Sequence, residues 1–272
     1  LIHTYEKPIL VWGQGIVMGG GLGLMSGASH RIVTESSRIA MPEITIGLYP
    51  DVGGTYFLNK MPKGCGLFLG LTGASINAAD AKYINLADYF VGQDRKQALF
   101  DELLTTKWGS TTALNHQKLN DVLRKFENET LNLMPQGNVQ THSDIIDEVT
   151  KQDGVEAVRD AILAIKGDDK WVNRAQKSLA HGSAITAHIV YQQLQRGKEM
   201  TLAETFRFEL GVSVRCAMSG EFAEGVRALL IEKDNQPKWR FDTVHDVDQD
   251  VITQMFVSPW PENTHPLKGL GR

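Results

Sequence analysis

Two carboxylates and a run of glycines are the groups in this chain best placed to do chemistry. Glu43 stands in Met41-Pro42-Glu43 and Asp51, eight residues on, in Tyr49-Pro50-Asp51. Both follow a proline, and Ile39, Ala40, Ile44, Ile46, Leu48 and Val52 surround them. A carboxylate in apolar surroundings is costly when charged, so its pKa is expected to rise toward the range of a general base. The simpler reading makes each acid the cap of a short helix, and Glu43, just before Ile44-Thr45, suits that role too. Upstream, Gly19-Gly20-Gly21 can open a helix whose first N–H groups have no Cβ in front of them. Such donors suit an anion or a developing oxyanion. Tight strand–helix packing alone would also call for glycine there.

Other chemistries fit less well. Gly21-Leu22-Gly23-Leu24-Met25-Ser26 comes close to a dinucleotide fingerprint, with Glu43 twenty residues beyond Gly23, but Ser26 replaces the third glycine. No series of strand–helix–strand units follows. The eight histidines are scattered and no His-Glu-x-x-His or Cys-x-x-Cys is present, so no metal site is expected. His181 and His188 lack a carboxylate one turn away. Ser26 and Ser219 precede glycines, but neither lies in Gly-x-Ser-x-Gly.

The elements that would carry these groups follow from pattern. Ile9-Leu10-Val11-Trp12 reads as a buried strand, followed by a glycine-rich turn and a helix over 20–28. Short apolar stretches at 31–33 and 38–41 come next, then loops around Pro42 and at 49–54. Helices are expected from Thr55 to Asn59, ended by Pro62, and over 78–83 and 95–105. Beyond Lys107 glycine thins out, and amphipathic stretches follow at 114–126, 145–149 and 155–165. Ser183 precedes another helix. Thr201-Leu202-Ala203-Glu204 is a capping box before 206–214, and 221–233 carries an apolar face. The expected division is therefore 1–107 as an α/β core and 108–272 as a helical region with an irregular tail.

Composition sets the outer bounds. With 272 residues, 42% hydrophobic and 22% charged, the chain can bury an ordinary core. A net charge of −4 predicts neither nucleic acid nor an anionic membrane as partner. Residues 8–29 carry no charge, long enough for a membrane span, but seven of those 22 are glycine, and mean hydropathy is −0.21. Two cysteines, Cys65 and Cys216, suit a reducing compartment. Glycine is unevenly spread: 14 of 26 lie in the first 75 residues. The chain opens on Leu1-Ile2-His3 without an initiating Met, and is expected to lack the N-terminal part of its fold.

Taken in order, the segments 7–11, 15–21, 37–43 and 46–54, with Leu71-Thr72-Gly73 and Ala79-Asp80-Ala81, resemble the crotonase (enoyl-CoA hydratase/isomerase) superfamily. Gly-Gly-Gly-x-Gly, Met-Pro-Glu, Pro-Asp-Val-Gly-Gly and the block 224–239 look like its 3-hydroxyisobutyryl-CoA hydrolase branch. The resemblance implies a ββα-superhelix core and hydrolysis of a short acyl-CoA thioester, with coenzyme A as part of the substrate and no resident cofactor. It implies that Gly20, flanked by Gly19 and Gly21, gives an N–H to the thioester oxygen as half of an oxyanion hole. Glu43 would be nucleophile or base, and Asp51 would bind a 3-hydroxyl or assist proton transfer. Hydratases of the superfamily carry Glu where this chain has Gly23, so two-carboxylate hydration lacks an acid. A single-base enoyl-CoA isomerase and a non-catalytic acyl-CoA binder are the alternatives. A homo-oligomer, in the cytoplasm or in a mitochondrial matrix, completes the expectation.

Overall fold

The computed structural model describes residues 1–271. They form two compact units, each drawn from two stretches of chain: Leu1–Ala40 with Ser75–His142, and Met41–Ala74 with the chain from Ser143 onward. The sequence boundary at 107 falls inside the first of these.

All the strands among the described residues belong to the first unit. Strands β1 (Leu10–Gly13), β2 (Ile16–Met18), β3 (His30–Val33), β4 (Arg38–Ala40) and β5 (Tyr89–Phe90) make a three-stranded sheet ordered β1-β3-β5 and a two-stranded sheet β2-β4. Every pairing between them is parallel, with Leu10 opposite His30 and Ile16 opposite Arg38. Parallel neighbours need a crossover, and the Gly20–Gly27 helix, which follows β2 and precedes β3 in the chain, lies in both the β1-to-β3 and the β2-to-β4 connection. The three apolar residues of β2 lie where the sequence suggests only a glycine turn. A strand so short has too few residues to show a period. Gly13 lets Met25 of that helix come within 3.0 Å of where a Cβ would sit, so here glycine serves strand–helix packing. Leu119, Leu123 and Phe126, spaced by four and three on the Thr112–Thr130 helix, close over Ile32 and Val91 to form the core.

The second unit is helical. Its central element is the Ala184–Gly197 helix, with Ile185, Ile189, Val190 and Leu194 buried. Ser183 caps it through the Thr186 N–H. Two short helices pack on it: Cys65–Thr72, with Gly70 facing Val190, and Gly54–Asn59, with Thr55 against Gly197. The Leu202–Ser219 helix begins with the expected capping box, Thr201 and Glu204 each bonding the other's backbone N–H. The stretch expected as one helix over 221–233 is an α-helix at Glu221–Val226 followed by a π-turn at Arg227–Ile231.

Candidate active site

Glu43 opens a 3₁₀ turn, Glu43–Ile46, in the second unit. That turn threads between backbones that only glycine allows so close. The Cβ of an alanine at 73 would lie 2.9 Å from Pro42 Cα, and one at 225 would collide with the Ile46 backbone. Ser183 N–H donates to the Ile44 carbonyl at 3.0 Å and fixes the turn from the helical side. Gly47 ends it in the left-handed region at φ 66°.

So held, Glu43 is 5% exposed, and its Oε2 has no hydrogen-bond partner. A buried, unpaired carboxylate oxygen is rare in native structures and calls for a reason. Burial is the main cause that pushes its pKa up to about 7; a bond to its own backbone opposes this, and the charge of Asp51 adds to it. The capping role is not what the turn shows, since Pro42 is its N-cap and no side chain caps it; the bond to its own backbone engages one carboxylate oxygen. That leaves one oxygen over.

Asp51 is half-buried at the start of a sharp turn, and burial raises its pKa as well. Val52 next to it has φ 52°, and Gly53 has φ 91°. A β-branched residue in the left-handed region costs on the order of 1–3 kcal/mol and persists only where its surroundings enforce it. The tethers are clear. Tyr49, fully buried, donates its hydroxyl to the Glu209 carbonyl at 2.7 Å. Gln193 Nε2 donates to the Pro50 carbonyl at 3.0 Å. Gly53 N–H donates to Glu209 Oε2 at 2.8 Å, and Thr55 N–H to Glu209 Oε1 at 2.9 Å.

Glu209 is the functional candidate that sequence reasoning overlooked. It is 3% exposed, and burial, together with the nearby charge of Asp51, pushes its pKa up to about 7 despite the two amide bonds. Its signal was available. Phe208-Glu209-Leu210-Gly211-Val212 is an acid in an apolar run, the same pattern that singles out Glu43. The three carboxyls Glu43, Asp51 and Glu209 are electrostatically linked through Asp51, and no cation is among the causes that set their pKa values. Like charges without a counter-cation favour holding a proton among them.

The glycine run lies in the first unit. Gly19, at φ 52°, caps the Gly20–Gly27 helix, and a Cβ at 19, 20 or 21 would meet nothing within 4 Å. Gly20 and Gly21 are exposed, and their N–H groups have no acceptor among the described residues. Open space and unused donors together fit a ligand atom better than tight packing. Here the packing glycine is Gly13. A cavity of about 560 Å³ in the same unit, bordered by Lys7, Leu10, Trp108 and Asn115, contains none of the candidate groups. Neither cysteine is in a disulfide. No described helix is long and apolar enough to cross a membrane.

Three comparisons bear on this arrangement. The enoyl-CoA hydratase/isomerase family pattern matches residues 1–256. The mitochondrial 3-hydroxyisobutyryl-CoA hydrolase of Danio rerio is 33% identical over 94% of this chain and 66% of its own length. The chain therefore spans just under two thirds of that relative. Among solved structures, a carnitinyl-CoA dehydratase from Mycobacterium thermoresistibile superposes with a TM-score of 0.82 at 31% identity, covering 97% of this chain and 72% of the other. An enoyl-CoA hydratase from Rhodobacter sphaeroides 2.4.1 gives 0.78 at 31% identity, over 95% and 70%.

Proposed function

The chain belongs to the enoyl-CoA hydratase/isomerase, or crotonase, family, and from that premise we propose that it hydrolyses a short-chain acyl-CoA thioester, 3-hydroxyisobutyryl-CoA above others. The observation that carries this reading is Glu43: a buried carboxylate with one unused oxygen and a pKa near neutrality. The hydrolase name of the Danio rerio relative supports the substrate. Gly23 supports hydrolysis over hydration, since no second acid stands on that helix.

In this proposal Gly20 donates its N–H to the thioester oxygen as negative charge develops there. One such donor is worth roughly 2.7–4 kcal/mol in acyl transfer. Glu43 either takes a proton from water, whose oxygen attacks the carbonyl, or attacks it directly to form a mixed anhydride that water then opens. On both routes the carbon–sulfur bond breaks, and the coenzyme A sulfur leaves and ends as the thiol. Label from oxygen-18 water found in Glu43 after a single turnover assigns the anhydride. Asp51, held ready by its turn, accepts the hydrogen bond of the substrate's 3-hydroxyl. The reaction needs water and no resident cofactor. A reducing compartment, cytoplasm or mitochondrial matrix, suits both this chemistry and the two unbridged cysteines.

The test compares two products. Thiol release from 3-hydroxyisobutyryl-CoA is expected, with no measurable hydration of a 2-enoyl-CoA. Hydration without thiol release would overturn the proposal.

A further inference from the structure

We propose that Glu209 is a positioning residue: it fixes the Asp51 turn and so sets the preference of the site for an acyl group bearing a 3-hydroxyl. The proposal rests on the assignment of Asp51 to that hydroxyl.

The geometry carries the argument. Asp51 lies between two anchored points, with Pro50 tied by Gln193 on one side and Gly53 and Thr55 tied by Glu209 on the other. Only Glu209 reaches both amides, using one oxygen for each. These amides open the Gly54–Asn59 helix, whose N-cap Gly53 has no side chain with which to satisfy them. A residue 156 positions away thus supplies the acceptor that a local cap would ordinarily provide. Local sequence does not favour the turn, because Val52 adopts φ 52° within it. With the Glu209 carboxylate removed, the two amides lose their acceptor, and Val52 is free to relax toward an ordinary conformation. The Asp51 carboxylate is adjacent in the chain and would move with it. Gln193 and Tyr49 would still hold the preceding residues, so the loss should stay local.

The substitution Glu209→Gln keeps the size of the side chain but turns one acceptor into a donor facing a backbone N–H. A bond to a charged group is usually worth enough to change a rate constant by tenfold or more. The readout is kcat/KM for thiol release from 3-hydroxyisobutyryl-CoA and from the same thioester without its hydroxyl. The protein, E209Q, D51N and the double variant are compared. E209Q is expected to lower the hydroxylated-to-plain ratio by about tenfold or more, and to lower it no further in the D51N background. An equal loss on both substrates, or full additivity in the double variant, would overturn the proposal, since either means a structural cap alone. Where E209Q does not fold, Glu209→Asp, which keeps the charge but falls short of both amides, carries the same expectation. If D51N leaves the ratio unchanged, or if neither thioester is cleaved, the assignment of Asp51 or the proposed activity fails. Positioning is then judged by hydrogen exchange. Gly53 and Thr55 amides exchanging about tenfold faster in E209Q then show the tether alone, and the substrate preference falls with the Asp51 assignment; unchanged exchange overturns the tether as well.

Discussion

In the proposed hydrolysis, environment fits an ordinary side chain, Glu43, to a reactive role. Whether base or nucleophile, it must be ionised, and its pKa is about 7. The kcat/KM for thiol release should therefore rise about tenfold per unit of pH below neutrality and level off above it. Asp51 raises Glu43 through like-charge repulsion. Asp51→Asn should move the acid limb of that profile to lower pH, and a limb that stays in place would show that the two carboxyls do not interact. At this scale the candidate site was partly legible. Glu43, Asp51 and Gly19 to Gly21 stand out by residue type and by their neighbours in sequence. Glu209 shares the apolar setting that marks Glu43, but its role does not show there, because its partners at 53 and 55 come from a distant stretch and local pattern records no pairing across such a separation.

Elements were easier to read where a cap or a period marks them. The Thr201 capping box and the Ala78–Tyr83 helix fall where expected, while the three-residue strand Ile16–Met18 and the apolar Cys65–Thr72 helix do not announce themselves. Cys65–Thr72 is buried nearly all round and shows no polar face. Thr201→Ala should lower stability by about 1 kcal/mol without changing activity, as thermal unfolding beside a kinetic assay would show. Gly225→Ala should do more. Its Cβ meets the Ile46 backbone, so it should cost roughly 1–3 kcal/mol as overpacking and also disturb the turn that carries Glu43. A G225A protein of normal stability and full activity would mean that the turn can yield at Ile46.

For the whole molecule, the α/β class and the family could be read from the ordered motifs, whereas the way the chain divides could not. Each unit is assembled from two separated stretches, and composition along a sequence does not reveal such an exchange. Stability carries a further mark of the buried acids. Glu43 and Glu209 both rise from 4.5 to about 7 on folding, so between these values the folded protein holds more protons than the unfolded chain. Stability should then fall as pH rises through that window and stay lower above it. A neutral Glu43→Gln removes one such penalty. Its stability gain over the parent should grow by about 2 kcal/mol between about pH 5 and about pH 8 in urea unfolding. A gain that does not depend on pH would mean that Glu43 is not held protonated.

The proposed hydrolysis depends most on Glu43 as the group that performs the chemistry. The most direct measurement is kcat/KM for thiol release from 3-hydroxyisobutyryl-CoA by the protein and by Glu43→Gln, with folding checked by circular dichroism. A loss of about a hundredfold or more is expected for a group that moves a proton or attacks the carbonyl. A folded E43Q protein that retains activity to within about tenfold of the parent would contradict it.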